Sequence, residues 1–286
     1  MLRRCLKVLN SYSFIGCDKN FDESEKVIIG APFDGTASFR PGSRFAPSSI
    51  RLDSDGMETY SPYLDDDLLN HKIADLGDME LPIGDTDAVL TTIENKMTEL
   101  FASNKKPILL GGEHLVTLPS FRSALKLYPN LKLIQLDAHA DLRDDYLGVK
   151  LSHATVIRRC HNMVGDDNIF QFGIRSGTKE EFDFAKEHTN LYKFDLSQVA
   201  NTVRNLQKEK VYLTIDLDVL DTGIFPGTGT PEPGGISFAE LMNAFHLLKE
   251  LDIVGADICE LAPNLDTSGV SSMTACKILR ELLLII

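Results

Sequence analysis

The 286-residue sequence has no long hydrophobic run. A membrane-spanning helix needs roughly 18 consecutive apolar residues, and no uninterrupted stretch of this chain approaches that length. The sequence also lacks an internal repeat and a low-complexity linker, although its 43% hydrophobic content is enough to bury a large core. We therefore predict a globular protein that forms one domain over residues 1–286.

Cysteine is scarce, and no two cysteines form the Cys-x-x-Cys pair of redox and zinc motifs. The five cysteines, at positions 5, 17, 160, 259 and 276, favour buried free thiols in a reducing compartment. Residues 1–10 are basic like the start of a signal peptide, but Lys7 and Asn10 interrupt any apolar stretch of sufficient length. We therefore expect residues 1–10 to belong to the mature fold of a cytoplasmic protein.

Positive charge is scarce as well, since 29 lysines and arginines face 42 acidic residues and leave a net charge of −13. Such a surface repels the phosphate backbone of nucleic acids and attracts cations. This balance argues against a nucleic-acid partner and favours a cationic ligand.

Strand-sized apolar runs alternate with segments of helical periodicity along the chain. The predicted strands are residues 27–30, 73–76, 107–110, 131–137, 169–172, 210–216 and 253–258. The predicted helices are residues 85–103, 115–127, 179–188, 238–251 and 271–284. This alternation predicts an α/β fold with a parallel sheet that is covered by helices on both faces. Two long irregular segments, 31–51 and 221–236, adjoin strand ends, where open parallel sheets bind ligands.

Side chains of the metal-ligand type follow three of these predicted strands. Asp137, His139 and Asp141 occupy alternate positions after the run 131–136. Asp216 and Asp218 alternate in the same way at the end of the run 210–216. His114 follows the tight turn that Gly111 and Gly112 permit. The six residues are His114, Asp137, His139, Asp141, Asp216 and Asp218. Because strand ends meet at one edge of a parallel sheet, these four aspartates and two histidines are expected to converge.

Four carboxylates in one buried site would repel one another, and two divalent cations would balance their charge. Capping of a helix or turn could explain any single aspartate but explains all six residues poorly. Oxygen and imidazole ligands without cysteine favour manganese over a structural zinc site, although ligand type alone does not fix the metal. Two ions roughly 3.5–4 Å apart can lower the pKa of a shared water, which predicts hydrolysis.

Two acid–base groups lie near these ligands in the sequence. Glu260 follows the apolar run 253–258, so its carboxylate is expected at the same edge of the sheet, where it could hold a guanidinium group by two hydrogen bonds. His153 follows the segment 142–152, which connects it to the ligand Asp141. A position at the start of a helix or on the surface remains an alternative for His153.

Together these motifs resemble the ureohydrolase family of arginases and agmatinases. The matching segments are residues 111–114 (Gly-Gly-Glu-His), 137–141 (Asp-Ala-His-Ala-Asp), 152–153 (Ser-His), 215–218 (Ile-Asp-Leu-Asp), 226–231 (Pro-Gly-Thr-Gly-Thr-Pro) and 257–263 (Asp-Ile-Cys-Glu-Leu-Ala-Pro). Residues 38–47 look like the N-terminal loop of the agmatinase branch. The resemblance implies a three-layer α/β/α sandwich with a parallel sheet of about eight strands, assembled as a trimer or hexamer.

The resemblance also implies the role of each site residue. The implied manganese ligands are His114 and Asp141 for one ion, His139 and Asp218 for the other, and Asp137 and Asp216 as bridges between both. His153 would shuttle protons and Glu260 would orient the guanidinium, so that these two residues and Asp141 form the predicted catalytic set. A hydroxide that bridges the ions would then cleave agmatine to urea and putrescine. Many relatives have Asp at the position of Glu113, which we expect to support the ligands without binding metal.

The residues that contact the substrate tail are less determined. The segment 142–152 lacks the loop rich in Asn, Ser and Thr with which arginases hold the carboxylate of arginine. It offers Asp144 and Asp145, which as substrate-binding residues would favour the terminal ammonium of agmatine. Alternatively both acids are solvated loop charges, and Arg143 or Lys150 would reverse the preference if either pointed inward.

Three other functions remain open at this point. The first is another amidinohydrolase, acting on arginine, guanidinobutyrate or a related guanidino acid. The second is a different binuclear metallohydrolase, such as a phosphatase or aminopeptidase, although Glu260 would repel phosphate. The third is a non-catalytic homologue that binds metal, which the intact ligands, His153 and Glu260 disfavour.

Overall fold

Eight parallel strands form the main sheet of the computed structural model, which describes residues 13–286. These strands are β1 (Lys26–Ala31), β4 (Ile73–Asp78), β5 (Lys106–Gly111), β6 (Lys132–Leu136), β7 (Ile169–Ile174), β8 (Asn190–Lys193), β9 (Lys210–Asp216) and β10 (Asp252–Cys259). Their order across the sheet is β4-β1-β5-β10-β9-β6-β7-β8. Two short strands, β2 (Tyr60–Ser61) and β3 (Asp66–Asp67), form a separate antiparallel hairpin.

Eight α-helices cover the two faces of the sheet within the described residues. They are α1 (Ala46–Asp53), α2 (Thr86–Ala102), α3 (Thr117–Leu127), α4 (Val156–Val164), α5 (Lys179–His188), α6 (Val199–Leu206), α7 (Phe238–Leu248) and α8 (Val270–Ile285). Helices α1, α6, α7 and α8 contribute to the core on one face, whereas α2, α3, α4 and α5 contribute to the core on the other. The predicted three-layer α/β/α sandwich is therefore confirmed.

The apolar composition of the central strands follows from burial on both faces. In β5, Ile108 and Leu110 pack into one core while Leu109, between them, packs into the other. A strand that is covered on both sides cannot alternate apolar and polar residues, so its sequence is a continuous hydrophobic run. This is why the sequence marks these strands clearly.

The topology brings four strand ends together at the centre of the sheet. Strands β5, β10, β9 and β6 are consecutive neighbours and run parallel, so their carboxyl ends share one edge. All the predicted metal ligands and Glu260 lie at or just beyond these four ends. The candidate site is therefore built at the carboxyl edge of the central strands.

The remaining predictions about the whole chain concern cysteines, the N-terminus and membranes. Cys17, Cys160, Cys259 and Cys276 are buried free thiols, as expected. Cys5 and the predicted place of residues 1–10 in the mature fold lie outside the described residues. In the part of the chain from 13 to 286, no helix is both long enough and apolar enough to span a membrane.

Candidate metal centre and active site

The first ligand group surrounds the ring of His114, which begins a short 3-10 turn directly after β5. The Nδ1 atom of His114 lies 3.0 Å from Oδ2 of Asp141, 3.1 Å from Oδ2 of Asp137 and 3.5 Å from Oδ2 of Asp216. All four residues are buried. One imidazole nitrogen and three carboxylate oxygens thus face one another in a small volume.

The second ligand group contains His139, Asp218 and again Asp137. The Nδ1 atom of His139 lies 3.0 Å from Oδ2 of Asp218 and 3.7 Å from Oδ1 of Asp137. Backbone amides hold both acids, because Ala138 N–H donates to Oδ1 of Asp218 at 3.1 Å and His139 N–H donates to Oδ1 of Asp137 at 2.5 Å. Asp137 therefore belongs to both groups, one carboxylate oxygen facing each histidine.

The charge of this cluster fits two divalent cations. Burial and the neighbouring Asp137 raise the pKa of Asp141 to about 7, and burial, Asp218 and Asp137 raise the pKa of Asp216 well above its usual value. Within residues 13–286, Oδ2 of Asp218 is buried and receives no hydrogen bond although it faces His139. Buried carboxylates of this density are stabilised when cations replace the missing donors.

A buried hydrogen-bond chain orients the ring of His114. The hydroxyl of Thr214 donates to Oδ1 of Asp257 at 2.6 Å, so its oxygen is left to accept from Nε2 of His114 at 2.8 Å. The proton of a neutral His114 then resides on Nε2, and the lone pair of Nδ1 points at the three carboxylates. Such an arrangement is typical of a metal-ligating histidine.

Without a cation, the same carboxylates draw protons to the histidines. Burial disfavours the charged form of His114, yet hydrogen bonding to Asp137 and Asp141 raises its pKa well above the usual value. Burial likewise opposes protonation of His139, and Asp218 and Asp137 raise its pKa. Metal ions would therefore compete with protons for the two imidazoles.

Glu260 lies beside the ligands at the end of β10. Its Oε1 atom accepts a hydrogen bond from the backbone N–H of His114 at 2.8 Å. Burial, followed by repulsion from Glu113, raises the pKa of Glu260 to about 8. Both Glu260 (φ 67°) and Asp141 (φ 53°) adopt the left-handed backbone region, which is costly for side chains with a Cβ and is found preferentially at functional sites.

His153 is connected to Glu113 through Thr36. The hydroxyl of Thr36 donates to Oε1 of Glu113 at 2.6 Å and accepts from the backbone N–H of His153 at 3.2 Å. The ring of His153 contacts Ser38, with 3.2 Å between Nε2 and Oγ, and packs edge-on against Tyr146. Burial lowers the pKa of His153, which keeps the imidazole neutral near neutral pH.

Comparison with known proteins agrees with this geometry. The family model described as the arginase family matches residues 24–285. The chain belongs to the arginase family. An agmatinase of Bacillus anthracis is 48% identical to it over 95% of both chains. A crystal structure from Clostridium difficile superposes with a TM-score of 0.92 and 52% identity, covering 93% of this chain and 98% of the other. Agmatine ureohydrolase of Thermoplasma volcanium superposes with a TM-score of 0.88 and 33% identity, covering 97% of this chain and 95% of the other.

In this arginase-family chain, a cavity of about 250 Å³ opens beside the ligands. Four of the six predicted ligands line this cavity: His114, His139, Asp141 and Asp216. Glu260 and His153 line it as well. The wall also includes Ser38, Tyr146 and Thr230, which lie in segments that the sequence had indicated without naming these residues. Ser176, Thr178 and Glu181 also line it, and the sequence had not indicated them. Most of these lie in loops or at helix starts, where no periodic pattern marks them.

The structure does not bring Asp144 and Asp145 to this cavity. The carboxylate of Asp144 pairs with Arg159 and is 65% exposed, while Asp145 accepts a hydrogen bond from the backbone N–H of Gly148 at 3.0 Å. Both acids thus have partners within their own loop or the following helix. The expectation that they bind the substrate tail gains no support from this placement.

Arg143 lines the cavity instead, whereas Lys150 borders a neighbouring one. The guanidinium of Arg143 lies 3.5 Å from Oε2 of Glu181 and 4.7 Å from the ring centre of Tyr146. The positive charge at the wall is therefore offset by a buried carboxylate next to it.

Proposed function

We propose that the protein hydrolyses agmatine to urea and putrescine at a pair of manganese ions. The observation that carries the proposal is the position of Asp137, whose two carboxylate oxygens face two different histidines in a chain of the arginase family. The agmatinase of Bacillus anthracis, 48% identical over 95% of both chains, supports agmatine as the substrate. Putrescine as the product would make the reaction part of polyamine synthesis.

The ligands of the two ions follow from the two groups. His114 and Asp141 would hold one ion, and His139 and Asp218 the other. Asp137 and Asp216 would contact both, which is supported for Asp137 by its contacts with both histidines. When bound, the ions would lower the pKa of water and supply a nucleophile at neutral pH.

Glu260 would orient the substrate. Its carboxylate is fixed by the backbone of His114 and lines the cavity, so it is positioned to pair with a guanidinium beside the ligands. Planar, two-pronged hydrogen bonding restricts the rotation of the guanidinium, which favours attack at its central carbon.

His153 would hold and transfer the proton that the leaving amine requires. The ring of His153 lines the cavity and lies within hydrogen-bond distance of Ser38. Its lowered pKa lets it take up a proton during the reaction and release it readily to the departing nitrogen.

The tail of the substrate would lie against Arg143, Tyr146 and Ser38. Because Glu181 offsets the charge of Arg143, this wall does not exclude the terminal ammonium of agmatine. The presence of Arg143 in the wall nevertheless favours one second candidate, a guanidino acid whose carboxylate would pair with this arginine.

A urea-release panel with agmatine, arginine and guanidinobutyrate tests the proposal. We expect kcat/KM for agmatine to exceed that for arginine by at least ~100-fold, since Glu181 already offsets the charge of Arg143 and the extra carboxylate of arginine would be left uncompensated at this wall. Arg143→Gln should retain agmatine hydrolysis, and Lys150→Gln, in the same loop but outside the cavity, is the matched control. If arginine is hydrolysed as fast as agmatine, or if Arg143→Gln alone abolishes turnover of a preferred guanidino acid, agmatine is not the substrate.

We also propose that the chain acts as a trimer or hexamer in the cytoplasm. The family resemblance supports the assembly, and the four buried free thiols support a reducing compartment. Light scattering coupled to gel filtration measures the assembly, and a monomeric active protein would exclude it.

A further inference from the structure

A second cluster of metal-ligand side chains lies outside the candidate metal centre, where α4 and α5 end. It consists of His161 in the last turn of α4, Asp166 in the following loop and His188 at the end of α5. The Oδ1 atom of Asp166 lies 2.9 Å from Nε2 of His161 and 2.8 Å from Nδ1 of His188. All three atoms lie within 4.8 Å of one another.

The backbone holds Asp166 between the two helix ends. Gly165 ends α4 with φ 73°, and its N–H donates to the carbonyl of His161 at 2.8 Å. On the other side, the N–H of Asp167 donates to the carbonyl of His188 at 3.4 Å. The loop is therefore tied to both histidine-bearing helices, and the three ligand atoms converge through main-chain contacts rather than side-chain pairing alone.

Aromatic packing fixes the two imidazole rings. The ring of Phe184 lies 5.0 Å from that of His161 and 4.2 Å from that of His188, centre to centre. The guanidinium of Arg158 stacks on Phe184 at 3.6 Å. Rings that are already held by their neighbours lose little freedom on binding an ion, which favours affinity.

We propose that His161, Asp166 and His188 bind one Zn²⁺ ion. Zinc binds imidazole nitrogen and carboxylate oxygen at about 2.0–2.2 Å, so the donor atoms around a tetrahedral ion lie roughly 3.3–3.5 Å apart. The two distances to Asp166 reach this value when each ring withdraws from its carboxylate by about half an ångström. Two imidazoles with one carboxylate favour zinc over calcium or magnesium, which prefer oxygen ligands.

The surroundings of the cluster suit a cation that enters from solvent. Asp166 is 56% exposed and His188 32% exposed, so water can occupy the fourth position of the ion. The Nε2 atom of His188 lies 4.0 Å from Oε2 of the exposed Glu187, so a shift of this side chain would let it accept the N–H once Nδ1 binds metal. Such a carboxylate partner commonly fixes the tautomer of a ligating histidine.

Binding would connect the carboxyl ends of α4 and α5. Helix α4 continues directly from the turn that contains His153, and α5 begins beside Thr178, which lines the cavity. The proposed ion therefore acts as a structural cross-link behind the active site and takes no part in the reaction. It should raise the thermal stability of the chain by mass action, because the unfolded chain lacks the assembled site.

The test measures total metal in the full-length chain. Protein saturated with Mn²⁺ is incubated with excess ZnCl₂, freed of unbound metal, and analysed for manganese plus zinc. Zinc binds such ligands more tightly than manganese and can displace it from the candidate metal centre, but exchange leaves the total unchanged. We expect the unaltered protein to hold one more ion per chain than His188→Gln, with zinc affinity at this site at least ~100-fold weaker in the variant.

The matched control is His246→Gln, which removes an exposed histidine on α7 away from the cluster. It should retain the additional ion and the zinc-dependent rise in Tm, whereas His188→Gln should lose both and keep its far-ultraviolet circular dichroism. Equal metal totals in the unaltered protein and His188→Gln would overturn the proposal, because the cluster would then be a histidine–aspartate ion pair only. Since the readout is a difference between two variants, it does not depend on the metal content of the candidate active site.

Discussion

Thr214 offers a sharp test of how the fold prepares His114 for metal. Its hydroxyl donates to Asp257 and accepts from Nε2 of His114, so Thr214→Val removes two buried hydrogen bonds at once. The carboxylate of Asp257 keeps its bonds from Thr117 at 3.0 Å and Tyr212 at 2.8 Å. The ring of His114, however, loses the only partner that the described residues offer to Nε2, and with it the fixed tautomer.

The magnitude follows from these two losses. A buried polar group without its partner costs about 1–3 kcal/mol, so Thr214→Val should lower the free energy of unfolding of the metal-free protein by about 2–4 kcal/mol. Loss of the group that orients a ligating histidine typically weakens metal binding by about 10–100-fold. Denaturant unfolding of the metal-free protein measures the first effect. Titration of the metal-free protein with Mn²⁺, followed by calorimetry and by enzymatic urea release, measures the second.

Thr117→Val is the matched control for this prediction. It also deprives Asp257 of a threonine donor, but within residues 13–286 the side chain of Thr117 makes no hydrogen bond to the ring of His114. We expect it to lose about 1–3 kcal/mol of stability with manganese affinity nearly unchanged. Thr214→Ser keeps the hydroxyl and should restore the affinity. Equal loss of affinity in Thr214→Val and Thr117→Val would refute the role of the hydroxyl, since general damage to the buried network would then explain the effect.

Two further substitutions separate the roles of the site residues. Asp137→Ala should lose both ions, because this carboxylate faces both histidines. Asp141→Ala, which removes a residue of one group only, should retain about one manganese per chain by elemental analysis. Two retained ions in Asp137→Ala would contradict the shared position of this carboxylate. His153→Asn should keep its metal and its KM but lower kcat by about 10²–10⁴-fold, as expected for loss of a proton-transfer group. An increase in KM at constant kcat would instead assign His153 to substrate binding.

The strands of the main sheet were largely predictable, whereas one edge strand and three short helices were not. Seven strands of the main sheet carry apolar runs that overlap the predicted segments, but β8 was missed. This strand lies at the edge of the sheet and none of its four residues is fully buried, so it has no hydrophobic run. Helices α1, α4 and α6, each of eight or nine residues, were missed as well.

The convergence of the candidate metal ligands was predictable because these residues follow buried strands that end at one edge of the sheet. Asp137, His139 and Asp141 lie just beyond the end of β6, and Asp216 ends β9 at the same edge. The residues that line the cavity wall near the proposed substrate tail were not predictable. Arg143 and Asp144 are consecutive residues in a loop without regular geometry. Whether a loop charge faces the cavity depends on local partners such as Glu181 and Arg159, which no period in the sequence reveals.

The polar residues that hold the candidate ligands in place were indicated in part by the sequence. Asp257, Thr214, Gln135 and Gln171 lie opposite one another on β10, β9, β6 and β7 and form one polar row across the buried sheet. Within this row Gln171 donates to Gln135 at 2.7 Å, and Gln135 donates to Oδ2 of Asp137 at 2.6 Å. Thr214 and Gln135 each precede an aspartate ligand by two positions, so strand alternation places them on the same face as that ligand. A polar residue there, in an otherwise apolar run, requires a buried partner and therefore indicates a supporting network. Its partner cannot be named from the sequence, because register between strands far apart in the chain is set only when the sheet assembles.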